Sequence, residues 1–328
     1  MISDPASPEW AERYSRQILL KEIGGQGQLR LGNSKVGLIA DEKILVTTLL
    51  YLAGAGIGEL RVRHADPEKI AATLAWAHEL NPMVTIRINA ESTPLATWLS
   101  GLDLLLDLAS AWPQMDALCL ASRIPLLTTW SSTEGGCWIT GSNTGQDPAL
   151  PCLTCGPLLP PSSNAPMEEP WASLWQGLAG TRLATEAIKY LLAIGDRSVW
   201  DHALGLDVTS AEPDRQKRVK NPQCPVCTRS AVQAGVAVAP VRTTDSLSFE
   251  VVADDFIDIS GECCPMTFVR VKLLLEGMEA GQKLRVRLTG GEPLANVPRT
   301  LRDQGYVVSE PWSEAELFGL LVEKPGRE

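Results

Sequence analysis

Eight cysteines, at positions 119, 137, 152, 155, 224, 227, 263 and 264, carry most of the reactive chemistry this chain offers. Four of them form two Cys-x-x-Cys pairs, Cys152-Leu-Thr-Cys155 and Cys224-Pro-Val-Cys227. Pro151, Gly156 and Pro225 supply the tight turns that each pair needs. Two such knuckles give four thiolates, the tetrahedral set that Zn2+ takes at about 2.3 Å in closed, structural sites. The competing reading is two unrelated cysteine pairs, one of them redox-active.

Cys263 and Cys264 stand directly before Pro265. Proline at the first helical position fixes the helix start and has no amide to leave unpaired. Cys264 then falls at the N-cap, facing orphan amides and the positive end of the helix dipole. That placement favours thiolate at neutral pH. Such a thiolate can take a sulfur atom as persulfide and pass it on by exchange. The alternative is a buried, inert thiol. Cys263 could assist the persulfide, form a vicinal disulfide or simply pack; packing or a weak auxiliary role ranks first. Cys119, on a helix, and Cys137, within Gly135-Gly-Cys-Trp-Ile-Thr140, read as core. Arg270 and Lys272 follow within two turns of Cys264. They read as a solvated helix face that could also steer an acidic partner.

The elements that must position these groups are legible. The chain has 328 residues, enough for about two domains. Val36–Ala40 is a short apolar strand, followed by a helix through Thr47, Leu50 and Ala53. Glu59–Arg63 alternates, Lys69–Leu80 is helical, and residues 83–88 alternate again. Leu102–Leu106 is apolar throughout, as a buried parallel strand should be. Pro125–Thr129 is a further strand. This alternation predicts an α/β, doubly wound, mostly parallel sheet. Residues 141–170 read as loop, Ser173–Ile194 as one long helix, and His202–Val208 as a strand. Zinc would staple this C-terminal part of residues 1–229. Residues 230–246 read as a linker, and 247–328 as a small α+β two-layer domain of order βαβαββ.

The net charge of −10 disfavours nucleic acid or an anionic membrane as partner. No apolar run is long enough to span a bilayer. Met1–Glu12 has acidic residues and no basic region ahead of an apolar run, so the expected location is cytoplasmic.

Glu12-Arg-Tyr-Ser-Arg-Gln-Ile-Leu-Leu20 and Tyr51-Leu-Ala-Gly-Ala-Gly-Ile-Gly-Glu-Leu60 resemble the MoeB/ThiF/HesA family, relatives of ubiquitin-activating enzymes. The paired knuckles around a long helix resemble it too. The resemblance spans roughly residues 10–230. It implies a Rossmann-like fold, usually homodimeric, that adenylates the C-terminal glycine of a ubiquitin-like sulfur carrier with ATP and Mg2+. Several motifs depart from that expectation. The turn after the first strand reads Ala40-Asp-Glu-Lys-Ile-Leu45, with no glycine for a phosphate to approach. The acidic pair expected after the second strand is His64-Ala-Asp66, with one match. After the apolar strand, Asp107-Leu-Ala-Ser-Ala111 puts Ser110 where an acid is expected. Arg16 matches the arginine that family members extend to the partner's phosphates. Arg16 and Asp66 are thus the remnant nucleotide-site positions, with retained dimer packing the favoured role for Arg16. These departures argue against bound ATP and Mg2+ and for an activating domain that no longer adenylates.

Asp258-Ile-Ser-Gly-Glu-Cys-Cys-Pro-Met-Thr-Phe-Val-Arg-Val-Lys-Leu273 resembles the TusA/SirA sulfur-carrier family, whose mark is a Cys-Pro at a helix start. The resemblance covers residues 247–328. It implies that Cys264 exchanges sulfur with donor and acceptor proteins. A working adenylyltransferase and a non-catalytic binding module remain the rival expectations.

Overall fold

Apolar β-branched and leucine-rich runs separated by helical spacing become a layered α/β structure, seen here in a computed structural model. It describes residues 7–89, 93–109, 112–131, 136–143, 145–155, 171–208, 210–227, 256–262, 266–314 and 316–326. The chain divides into two compact units. One spans Arg30–Val238; the other joins Ser3–Leu29 to Ala239–Glu328.

The first unit is built on an eight-stranded sheet in the order β3-β2-β1-β4-β5-β6-β7-β8. Strands β1 (Lys35–Ile39), β2 (Glu59–Arg63), β3 (Thr85–Asn89), β4 (Leu104–Asp107) and β5 (Leu126–Ser131) run parallel. Strands β6 (Gly136–Ser142), β7 (His202–Asp207) and β8 (Pro213–Lys217) continue antiparallel. Every residue of β4 is buried, as its unbroken apolar run predicts for a central parallel strand. Helices α3 (Glu42–Ala55), α4 (Pro67–Leu80), α5 (Leu95–Leu99), α6 (Trp112–Ser122) and α7 (Trp171–Leu192) complete the unit. Helix α3 packs along α7. The glycine run after α3 serves tight packing, as expected: a Cβ on Gly58 would lie 1.8 Å from the Gly32 carbonyl oxygen. Cys119 on α6 and Cys137 on β6 are core residues, 2% and 0% exposed. Strand β8 and helix α5 are absent from the sequence reading. β8, Pro-Asp-Arg-Gln-Lys, is polar and lies at the sheet edge, so it lacks an apolar signature.

The second unit begins with α1 (Pro8–Ile18) and the start of α2 (Gly24–Asn33). It continues with β9 (Phe256–Asp258), α8 (Met266–Gly277), β10 (Lys283–Leu288), α9 (Glu292–Asp303), β11 (Val307–Val308), β12 (Trp312–Glu314) and β13 (Leu317–Glu323). The sheet order is β11-β13-β10-β9, with β12 added on β13. Strands β9 and β10 are parallel and the other pairings antiparallel. One apolar core joins Phe268, Val271 and Leu275 of α8 to Val286, Leu301 and Val322. The order matches the expected βαβαββ pattern with one further short strand.

One boundary differs from the sequence reading, which places residues 1–229 together. Here Ser3–Leu29 groups with the C-terminal part. The reason is packing: α1 lies against α8, and Leu19 packs on the C-terminal core. Among the described residues, no helix is long and apolar enough to cross a membrane.

Candidate metal centre and cleft

The two knuckles meet. A single 3-10 turn, Leu153–Cys155, shapes the first, with the Cys155 amide donating to the Cys152 carbonyl at 3.1 Å. The Cys152 Sγ lies 3.6 Å from that of Cys155, 3.5 Å from Cys224 and 3.3 Å from Cys227. The Cys155 and Cys227 sulfurs are 3.2 Å apart. All four Sγ atoms lie within 4.8 Å of one another, and none is in a disulfide. A tetrahedron with metal–sulfur bonds near 2.3 Å has edges of about 3.8 Å, so the spacing fits one ion. Cys152 and Cys224 are fully buried.

The electrostatics fit as well. Burial, and then the Asp116 carboxylate, push the Cys152 thiol well above its ordinary value. Burial pushes Cys227 up to about 12, with its contact to Cys155 adding to the rise. Burial also acts on Cys224, but hydrogen bonds from the Cys227 and Val226 amides outweigh it and lower that thiol. Four thiols this close ionise together only around a cation that supplies the opposing charge.

Two residues that support the knuckles escaped the sequence reading. Arg218 is 4% exposed and donates to the Cys152 carbonyl at 2.5 Å and the Gly141 carbonyl at 2.6 Å. It also reaches Thr140 Oγ1 at 2.9 Å. Asp116 Oδ2 accepts from the Thr154 amide at 3.0 Å and its hydroxyl at 2.9 Å, fixing the first knuckle from α6. Arg218 follows a mostly exposed polar run, Asp214-Arg-Gln-Lys217, and nothing in that run marks it as buried.

The second feature is an open cleft of about 360 Å3 beyond the C-terminal end of β1, lined by Asp41, Glu42, Lys43, His64, Ala109 and Gln176. Doubly wound sheets bind ligands in this place. Phosphate recognition there uses free amides at a helix N-terminus. Those amides are taken: Asp41 Oδ1 accepts from Lys43 N at 3.0 Å and Ile44 N at 3.1 Å. Glu42 holds Lys69 at 3.4 Å and lies 3.7 Å from His64. Two carboxylates, Asp41 and Glu42, thus face a cleft whose first-turn amides from α3 are already engaged. Asp66 is likewise used locally, capping α4 through Glu68 N at 3.1 Å. Asp107 is fully buried and accepts from Thr128 at 3.1 Å. Arg16 is exposed in the last turn of α1. Asp41→Ala should lower stability by about 1 kcal/mol, a melting shift of roughly 2–4 °C by calorimetry. An unchanged melting temperature would show that the cap contributes nothing.

Cys263, Cys264 and Pro265 lie outside the described residues. The helix after them, α8, is described from Met266 onward. Of the two cations beyond, Arg270 is exposed, as the solvated-face reading expects, and Lys272 is not. Arg270 pairs with Glu262, and Lys272 is 3% exposed.

Residues 255–324 match the family described as Sulfurtransferase TusA. Over 255 residues the chain is 26% identical to the SAMP-activating enzyme E1 of Haloferax volcanii, covering 68% of this chain and 91% of that one. The chain joins a ThiF/MoeB-like fold to a TusA-like unit. The ThiF/MoeB-like part is also 28% identical, over 277 residues, to the adenylyltransferase and sulfurtransferase uba4 of Emericella nidulans. That match covers 73% of this chain and 56% of the relative. Among solved structures, E. coli MccB with MccA-N7isoASN superposes with a TM-score of 0.55 at 16% identity. It covers 66% of this chain and 74% of MccB, a likeness of fold.

Proposed function

We propose that this chain is a sulfur-relay protein in which Cys264 carries sulfur as a persulfide. The supporting observation is the match of residues 255–324 to Sulfurtransferase TusA, a span that contains Cys264-Pro265. In the proposed step the Cys264 thiolate attacks the outer sulfur of a donor persulfide. A new S–S bond forms, the donor's S–S bond breaks, and the donor cysteine leaves as thiolate. An acceptor nucleophile then takes the outer sulfur, and Cys264 leaves as thiolate. No electrons are gained or lost overall.

In this reading the ThiF/MoeB-like unit is a homodimeric docking scaffold that has lost adenylation. The Asp41 carboxylate on the first-turn amides of α3 supports the loss. Zn2+ at Cys152, Cys155, Cys224 and Cys227 would be structural, since four thiolates leave no open position. A ubiquitin-like sulfur carrier among the partners is what the MoeB/ThiF resemblance implies. A relative named sulfur carrier protein adenylyltransferase, from Thermus thermophilus, supports a carrier, as the names SAMP-activating enzyme and adenylyltransferase support activation chemistry. Those names also favour the second reading, a working adenylyltransferase with a remodelled pocket.

One preparation separates the two. The relay reading expects one added sulfur on the protein after incubation with a persulfide donor. It also expects no ATP–pyrophosphate exchange in the presence of a ubiquitin-like carrier. Carrier-dependent exchange would establish the adenylyltransferase. Neither signal under any donor or carrier would leave a binding module.

A further inference from the structure

Lys272 and Glu276 stand one turn apart on α8, outside the apolar stripe formed by Phe268, Val271 and Leu275. Both are nearly buried: their side chains are 4% and 16% exposed, and their charged ends lie 3.9 Å apart. Buried charges at these positions need partners, and the N-terminal segment provides them. Lys272 Nζ donates to the Ile18 carbonyl at 2.8 Å, at the C-terminal end of α1. Glu276 Oε2 accepts from the Gln26 amide at 3.0 Å, in the first turn of α2. Each charge therefore sits at the helix end of opposite polarity. Gln304, just past α9, donates to the Leu19 carbonyl at 3.2 Å.

Three of these bonds go to backbone atoms. What α8 recognises is thus the shape of the corner between α1 and α2. Shape also governs the apolar seal. A Cβ on Gly25 would lie 2.4 Å from Leu273 Cδ2 and 2.9 Å from Glu276 Oε2, so any side chain there must displace both of these α8 side chains. Burial acts against both charges, lowering the Lys272 pKa and raising that of Glu276. A buried pair of this kind confers specificity with little net stability. The sheet core beneath, with Leu284, Val286 and Leu320 all fully buried, has no such weakness.

We propose that Ile18–Gln26 is a clasp: an intramolecular ligand that docks on the Lys272–Glu276 face of α8 and opens without unfolding the sheet beneath it. Closed, it covers an interaction surface made for a helix–turn–helix corner. Open, it frees that surface on the helix that follows Cys264. The clasp stands or falls independently of whether Cys264 carries sulfur.

Hydrogen exchange on the full-length chain tests it. Glu276→Gln keeps the shape and an acceptor but removes the charge; Lys272→Met removes the donor. Gly25→Val blocks the approach. Each should speed exchange across residues 18–28 by about 10-fold or more through local opening, while β10 and β13 stay protected. Unchanged exchange in residues 18–28 in all three variants would overturn the proposal. So would a rise that extends through β10 and β13, because the segment would then be an inseparable part of that fold.

Discussion

Cys264→Ser is expected to abolish sulfur loading. Wild-type protein incubated with a persulfide donor should gain about 32 Da, one sulfur atom, and the serine variant at least ~100-fold less. The size of the effect follows from the chemistry. A hydroxyl is not ionised near neutral pH and forms no stable persulfide analogue, so no residual activity is available at that position. The neighbouring Cys263→Ser should keep more than half of the loading, because the sequence places Cys264, directly before Pro265, and not Cys263 at the expected N-cap. Peptide mapping of the loaded protein decides between them. Loading that survives in Cys264→Ser and vanishes in Cys263→Ser would exchange their roles. Loading lost in neither would move the acceptor to another thiol. The described cysteines are poor candidates: burial raises Cys119 strongly and Cys137 to about 11, and four others surround the metal position.

The sequence was most informative where a residue's type and its position in a period agreed. Leu104-Leu-Leu106 can only be the centre of a parallel sheet, and it is fully buried there. The two knuckles were readable because thiolate chemistry demands four ligands, and the meeting of cysteines 72 positions apart is what that demand predicts. The loss of glycine after β1 was readable too, but its consequence was not. That Asp41 would turn its carboxylate onto the amides of its own helix, and not merely repel a phosphate, depends on a backbone geometry that only coordinates supply. Arg218 went unread and Lys272 was placed in solvent for a common reason. Charged residues default to solvent in any sequence reading, and their burial is created by carbonyls from distant segments, Cys152 for one and Ile18 for the other. The grouping of the N-terminal helix with the C-terminal unit was invisible on the same grounds. Nothing in Ile18–Gln26 announces its partner, because the partner reads backbone.

Loss of the metal is the second large effect expected. Purified protein should contain about one zinc per chain, and a strong chelator should remove it with a collapse in thermal stability, since structural zinc contributes on the order of 10 kcal/mol to folding small sites. The four cysteines are not equivalent in this. Cys152 lies within 3.6 Å of all three other sulfurs and is fully buried beneath the Arg218 contact. Cys152→Ser should therefore abolish metal binding and leave the Arg218 guanidinium buried among ligands that no longer balance its charge. Burial of a charge without compensation costs several kcal/mol, enough to unfold a domain of ordinary stability. Cys227 is only half-buried at the rim, so water can fill its place. Cys227→Ser should weaken binding yet leave a folded protein. Arg218→Met, apolar and of similar reach, should lower metal affinity with a smaller loss of stability than Cys152→Ser. Metal analysis and melting curves on the three variants give the order. Protein that holds no metal, and melts at the same temperature with and without chelator, would make the cluster a pair of dithiols and remove the frame from this account.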